Sequence, residues 1–426
     1  MLKIIKEKLR EIGCDLWEIT EQTVRGWEFY FIRHQLDQNR VTEVRTTQVT
    51  LYRPLEGDLL GSATGEISPT AGEAEIGKTL RDLWFQASLV KNPVYSLHNV
   101  PVTSPEPVEV NLEEISENFI RALAEIPETA GEDLNSYEIF VREITRHFQN
   151  ANGVEYICRY PSSMAEVIVN ARQGDREIEL YRAFHSGTCD GKKLAEEIKK
   201  AMEYGRDRLR TEPTPQLDGI PVLFSTDDSR AIYEYFIDRT NAALIYRKMS
   251  DWTIGTEVGC GLSVQGVPEL GNSSRNDPID EEGALIRQRY LIRDGKVENI
   301  WGGRRFSQYL QVENSSMIHN FIASGGISSE EELRRGDYLE IVEFSDFQVD
   351  SVSGDLAGEI RLGYLHRGEK VTIVSGGSVS GQMANAIPTM AFSKETEQYD
   401  CLVIPRITVL KGLNITGALS CSRSDA

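Results

Sequence analysis

Residues 211–221, TEPTPQLDGIP, constrain this chain more than any other stretch. Their three prolines bar a continuous helix or a central strand, and they offer few apolar side chains to bury. Two separately patterned halves follow: an N-terminal domain over 1–210, a linker over 211–221 and a second domain over 222–426. A length of 426 residues suits this division, since domains run to roughly 100–200 residues.

Upstream of the prolines, helix and strand signals alternate. The opening MLKIIKEKLREIG reads as a short amphipathic helix with Leu2, Ile5, Leu9 and Ile12 on one face. Residues 41–53 are β-rich in Val and Thr. A helix is expected over 71–92, where Ile76, Leu80, Leu83, Trp84, Ala87 and Val90 recur at 3–4 spacing. A second is expected over 112–126, capped by Asn111 with Glu114 and stopped by Pro127. Strands are expected over 137–149, 154–160, 164–172 and 177–184, the first two joined by the Asn-Ala-Asn-Gly turn at 150–153. A charged helix follows at about 192–209. Downstream, one helical stretch at about 227–247 precedes strand-like runs at 285–293, 338–344, 358–365, 370–374 and 402–410, separated by Gly-rich turns. The fold class is therefore α+β: a mixed α/β-layer N-terminal domain, then a β-rich second domain, barrel-like or a folded sheet.

Charge narrows the function. With 46 Lys+Arg against 66 Asp+Glu the formal net charge is −20, and the densest basic patches, Arg287–Arg293 and Arg304–Arg305, are short. Neutralising phosphates takes clustered cations, so no nucleic-acid partner is expected. No apolar run approaches the ~20 residues of a membrane helix, and the charged N-terminus is no signal peptide. No membrane contact and a cytoplasmic location are expected, where the sequons at Asn272, Asn314 and Asn414 carry no meaning. Six cysteines (Cys14, Cys158, Cys189, Cys260, Cys401, Cys421) form no CxxC pair and read as free thiols, mostly buried.

Catalytic motifs fail on chemistry. Residues 72–79, GEAEIGKT, fit G-x-x-x-x-G-K-[ST], but Glu73 and Glu75 would stand where phosphates sit, and no buried strand precedes them. Thr70 with Glu73 is expected instead to cap the following helix. A catalytic zinc needs about three protein ligands. The six histidines form no HExxH-type pair, and His185 with Cys189 supplies at most two ligands. The loop Gly376–Gly381 is not G-x-S-x-G, because Val379 holds the middle position. It reads as a turn or backbone cradle that another chain can approach closely. The carboxylate groups Asp227–Asp228, Asp280–Glu282 and Glu330–Glu332 read as solvated faces or helix N-termini.

A series of phrases in the C-terminal half nevertheless has a distinctive order. These are Leu244-Ile-Tyr-Arg-Lys-Met-Ser250, Asp277-Pro-Ile-Asp-Glu-Glu-Gly283, Gly325-Gly-Ile-Ser-Ser-Glu-Glu-Glu-Leu333, Ser353-Gly-Asp-Leu-Ala-Gly358, Gly376–Gly381 and Leu410-Lys-Gly-Leu-Asn-Ile-Thr-Gly417. Together they resemble the TldD/PmbA family, whose members are also labelled modulators of DNA gyrase. The likeness is good over roughly 220–418, looser over about 130–210 and weak before that.

The resemblance implies a cytoplasmic metallopeptidase of two related subunits that acts on unfolded peptides held as extended strands. The TldD kind carries an HExxxH zinc motif and a late cysteine; the TldE/PmbA kind lacks both. Here the aligned motif window holds Tyr233, Glu234 and Asp238, so only Glu234 keeps a catalytic residue type, and the late loop holds serines. Asp, Glu and Tyr without imidazole or thiolate make a poor zinc site. The implied role is a non-catalytic TldE/PmbA-type subunit with no catalytic residue, metal or cofactor of its own. Its partners would be a zinc-bearing TldD-type subunit, in a heterodimer, and an unfolded peptide. Tyr246, Arg247, Gly376, Gly377, Ser378, Ser380 and Gly381 are the candidates for the cleft or the interface. Two other readings stand beside it: a stand-alone or homodimeric peptide-binding protein, and an enzyme using His185, Cys189 or Glu234.

Overall fold

Long alternating strands dominate the first half of the computed structural model, which describes residues 1–313 and 315–418. The sequon at Asn314 and the thiol of Cys421 lie outside those residues. After α1 (Leu2–Glu11), β1 (Leu16–Ile32) and β2 (Gln35–Leu55) pair antiparallel through a turn at Arg33 and His34. Both turn residues have positive φ, 46° and 61°, as a tight hairpin requires to match strand twist. β3 (Leu59–Ile67), α2 (Glu73–Ala87), β4 (Asn92–Pro93), α3 (Leu112–Ala124), β5 (Glu132–Asn150), β6 (Glu155–Gln173), β7 (Arg176–Ser186) and α4 (Gly191–Arg208) follow. The strands form one seven-stranded sheet in the order β4-β3-β2-β1-β5-β6-β7.

Apolar helix faces cover that sheet. Ile5 and Leu9 of α1 and Ile76 and Leu80 of α2 pack on Ile19, Val49, Leu51 and Ile67. Phe119 and Leu123 of α3 and Leu194 and Ile198 of α4 pack on Leu134, Ile139, Val167 and Val169. The Asn111 side chain accepts from the Glu114 N–H as expected. The Thr70–Glu73 cap does not form: α2 starts after Gly72, Thr70 binds Ser68, and Glu73 pairs with Lys8 at 2.8 Å. The helix expected over 71–92 ends at Ala87.

The two strands expected over 154–160 and 164–172 are one, running through Pro161. β7 reaches β6 only from Ser163 onward, so β6 has a single neighbour at Pro161 and the missing N–H breaks no second ladder.

The second half contains β8 (Glu212–Pro213), β9 (Val222–Phe224), α5 (Arg230–Arg239), α6 (Ala242–Tyr246), β10 (Ser263–Val267), β11 (Arg289–Arg293), β12 (Lys296–Val297), α7 (Arg304–Tyr309), β13 (Asn320–Ser324) and α8 (Glu330–Leu333). It continues with β14 (Tyr338–Val349), β15 (Asp355–Arg367), β16 (Lys370–Ser375), β17 (Ser378–Gln382), α9 (Met383–Ala386), β18 (Ala391–Phe392), β19 (Thr396–Tyr399), β20 (Leu402–Pro405), β21 (Thr408–Leu410) and β22 (Asn414–Thr416). Six strands take the order β12-β11-β10-β13-β20-β19, and nine lie along β18-β21-β9-β14-β15-β16-β8 with β17 on β15 and β22 on β17. The architecture is mixed α+β as expected, and among the described residues these sheets do not close into a barrel. α5 packs into their core, burying Ile232, Tyr233 and Phe236 against Val222, Phe224 and Ile341.

Three expected elements are subdivided or shortened. The helix over 227–247 is a 3-10 turn (Asp227–Ser229), α5, a break where Asn241 caps the Ala243 N–H at 2.9 Å, and α6. The 402–410 run is β20 and β21, and the 285–293 run keeps only β11. Residues 211–221 lie along the second half: β8 pairs with β16, and Thr214 and Leu217 are buried.

One phrase locks the halves together. Ile279 inserts among Phe148, Tyr156, Cys158 and Tyr160. Beside it, Asp277 pairs with Arg146 of β5, with side chains only 2% and 6% exposed. Cys158 Sγ donates to the same carboxylate at 2.9 Å, and Arg146 Nη2 donates to the Ile279 carbonyl at 2.5 Å. Asp280, expected on a solvated face, is wholly buried: it accepts from the Glu282, Ala284 and Met317 N–H groups. Of the described thiols, Cys14 and Cys158 are buried and Cys189, Cys260 and Cys401 half-buried, so "mostly buried" overstates the case. No helix among the described residues is long and apolar enough to cross a membrane.

Candidate functional site

Among the described residues β7 ends the first sheet, so one of its sides is unpaired. That side opens on a cavity of about 1020 Å³ lined by the whole run Glu179–Ser186. The facing wall comes from the second half: the turn at Thr226–Asp228, Val342–Ser345 of β14 and Glu397–Asp400 around β19. α4 closes the side with Lys193, Glu197, Tyr204 and Arg208.

Polar bridges fix the two walls. Arg182 of β7 pairs with Glu343 of β14. Lys193 Nζ lies 2.7 Å from Glu397 Oε1, and Tyr364 Oη donates to Asp207 Oδ2 at 2.7 Å. At the far end the Gly187 N–H donates to the Asn272 carbonyl at 2.8 Å. The cleft is thus a feature of the folded whole, assembled from stretches widely separated in sequence.

Burial perturbs its charged groups. Desolvation holds the Arg182 guanidinium below its ordinary range, although Asp227 and Asp228 lie near enough to oppose this. Burial first, and then neighbouring Asp227, push the Asp228 carboxyl up to about 6. A carboxyl that keeps its proton longer when folded contributes stability below the unfolded value near 3.8. That contribution is lost as pH rises through about 6, and no further change follows above it. Asp228→Asn should therefore flatten the fall in unfolding free energy between about pH 4 and about pH 6. Urea unfolding across that window checks this; parallel wild-type and variant profiles would refute it.

The residues singled out from sequence are dispersed. His185 is exposed and lines the cleft, whereas Cys189 packs against the α3–α4 core. Tyr233 is fully buried and shares a 2.6 Å hydrogen bond with Thr408. Glu234 lies on the exposed face of α5 and takes Arg230 Nη2 at 3.2 Å. Asp238 accepts from Ser351 at 2.7 Å. Zinc needs its ligands to converge, and each of these three side chains is engaged by a separate partner, with Tyr233 inside the core and Glu234 facing outward. They do not fit a zinc ion. Among the described residues no three His, Cys, Asp or Glu side chains gather as a metal site would.

Tyr246 and Arg247 lie outside the cleft lining, in an aromatic cluster. The Tyr246 ring is 4.9 Å from that of Tyr309 and 5.6 Å from that of Phe306, over which Arg247 sits. The Gly376–Gly381 run also lies outside it. β17 is paired with β15 along its length and with β22 over Ser378–Ser380, so its backbone offers little free edge. Gly377 has φ +75°, and a Cβ there would stand 2.1 Å from the Thr416 carbonyl oxygen. Gly377→Ala should destabilise the fold by about 1–3 kcal/mol, while Ser378→Ala and Ser380→Ala stay within about 0.5 kcal/mol. Thermal melts of the three variants check this; a tolerated Gly377→Ala would show that the turn is free to move.

The free edge of β7 was invisible to motif reasoning, because strand order decides which strand is terminal. The 177–184 strand signal was available, but nothing local says that no eighth strand follows.

A helix-covered sheet docked on a β-rich half, with a charged cleft at the sheet's free edge, defines a bipartite α+β protein. Several solved structures share this fold, three of which follow. One is a candidate modulator of a DNA gyrase from Thermotoga maritima, with TM-score 0.78, 14% identity and coverage of 98% of this chain and 100% of that one. TldE from Thermococcus kodakarensis gives 0.76 and 14% over the same shares. A candidate modulator of DNA gyrase from Bacteroides thetaiotaomicron gives 0.79 and 15%, covering 98% of each chain. No curated protein matches the chain. Residues 218–417 match the PmbA/TldA metallopeptidase C-terminal domain, and by that domain the chain belongs to the TldD/PmbA family.

Proposed function

We propose that this chain is the zinc-free, TldE/PmbA-type subunit of a cytoplasmic metallopeptidase complex, and that it holds unfolded peptide for a TldD-type partner. The observation that carries the reading is the unpaired side of β7 along the cleft. An extended peptide adds to such an edge through backbone hydrogen bonds, which gives affinity with little sequence preference. The separate engagements of Tyr233, Glu234 and Asp238 support a chain that does not ligate the zinc itself. The metal would then reside in the partner of a heterodimer. The family's metallopeptidase domain and the fold shared with a solved TldE support the same assignment. With β17 paired on both sides, the exposed Tyr246 and the adjoining Arg247 are the better candidates for a partner contact.

Co-expression with a TldD-type chain tests it. Hydrolysis of an unfolded peptide should be strongest in the mixture and absent from this chain alone. Stoichiometric zinc and peptide cleavage by the isolated chain would overturn the proposal.

A further inference from the structure

Three arginines of the cleft lining, Arg182, Arg208 and Arg361, lie near enough to act on one another. Arg182 is paired with Glu343. Arg361 donates to Ser345 Oγ at 2.7 Å and comes no closer than 3.9 Å to Glu359. Among the described residues no carboxylate pairs with Arg208. Its guanidinium is held below its ordinary range, first by burial and then by Arg361 and Arg182. The C-terminus of α4 favours a cation at Arg208, yet a helix end equals only about half a charge. An anion between Arg208 and Arg361 would relieve the repulsion and meet two planar donor forks.

The direction of β7 says which anion. Arg176, the first residue of β7, donates through Nη1 to the Leu209 carbonyl at 2.6 Å, so Arg208 sits beside the start of that strand. A strand added antiparallel to β7 runs from its end toward its start and delivers its own C-terminus there. Resting on the peptide-holding function proposed above, we infer that Arg208 and Arg361 form a subsite for the free C-terminal carboxylate of a peptide lying antiparallel along β7.

A labelled, unstructured peptide is titrated against the full chain as free acid and as C-terminal amide, with binding read by fluorescence anisotropy. The free acid should bind about tenfold to a hundredfold tighter, as charge-assisted hydrogen bonds warrant. Arg208→Gln and Arg361→Gln should each shrink that ratio, and matching melts show that the variants fold. Equal binding of acid and amide to the wild type overturns the carboxylate subsite while leaving peptide binding intact. A preference that survives both substitutions also overturns it. Failure of both peptides to bind removes the peptide-holding function, and the subsite with it. Inorganic phosphate competing as well as the free-acid peptide would mark a general anion site and refute the assignment to a peptide terminus.

Discussion

Asp277→Ala should lower the unfolding free energy by about 3–5 kcal/mol, the range for breaking a buried ion pair at one partner. The carboxylate is 2% exposed, and it faces Arg146 and the Cys158 thiol. Removing it strands a guanidinium that is 6% exposed and, among the described residues, keeps only Glu281 as a carboxylate partner, at 3.6 Å. Two features make the loss larger than that of a surface pair. Water cannot reach the abandoned charge easily, and the loop it anchors carries Ile279 into the core of the first half. The double variant Arg146→Met with Asp277→Leu removes both charges and should recover most of the loss, because buried pairs and apolar replacements are often equivalent. Urea unfolding of the two variants decides the matter. A loss below about 1 kcal/mol for Asp277→Ala would show that the halves do not depend on this contact.

That pair also shows what sequence reading can and cannot reach. The Asp277–Gly283 phrase was visible as part of an ordered series, but its role was not. Asp280 looked like one more carboxylate in an acidic chain, and only the folded loop shows it bound by three N–H groups. Helices read well where apolar spacing was regular: Ile5 and Leu9, or Ile115, Phe119 and Leu123, are buried as their periodicity requires. Strands read less well. β1 is hard to read because Thr20-Glu21-Gln22-Thr23 is an unbroken polar run with no alternation, and its turn uses Arg33 and His34 in place of glycine or asparagine. β6 was cut in two because Pro161 usually ends a strand, and only the order of neighbours makes it harmless there. The nucleotide-loop match fails on charge, and its Lys78 pairs with Asp82 along α2 at 2.8 Å; the expectation that no buried strand precedes it does not hold, since β3 ends at the buried Ile67. The cleft was beyond reach for a simpler reason. Its walls are separated by up to about two hundred residues of chain, and strand order alone brings them together.

The second large effect concerns the helix where the resemblance sets the zinc motif. Tyr233→His with Asp238→His writes His-Glu-x-x-x-His into α5, around the existing Glu234. If that helix face pointed into an open site, the change should recruit zinc. The structure argues otherwise. Tyr233 is wholly inside the core, its ring close to the elements that bury Ile232 and Phe236, and its hydroxyl bonded to Thr408. Histidine there loses that hydroxyl contact, leaves unfilled volume and buries an imidazole without an assured partner. Each effect opposes folding, and together they amount to about 2–4 kcal/mol. Asp238 is half-buried and bonded to Ser351, so its replacement adds no ligand directed at position 233. The expected outcome is a protein that melts earlier and still holds no stoichiometric zinc, by metal analysis after expression in zinc-supplemented medium. Uptake of one zinc per chain with unchanged stability would mean that Tyr233 can turn outward, and that this chain stands only two side chains away from a metal centre of its own.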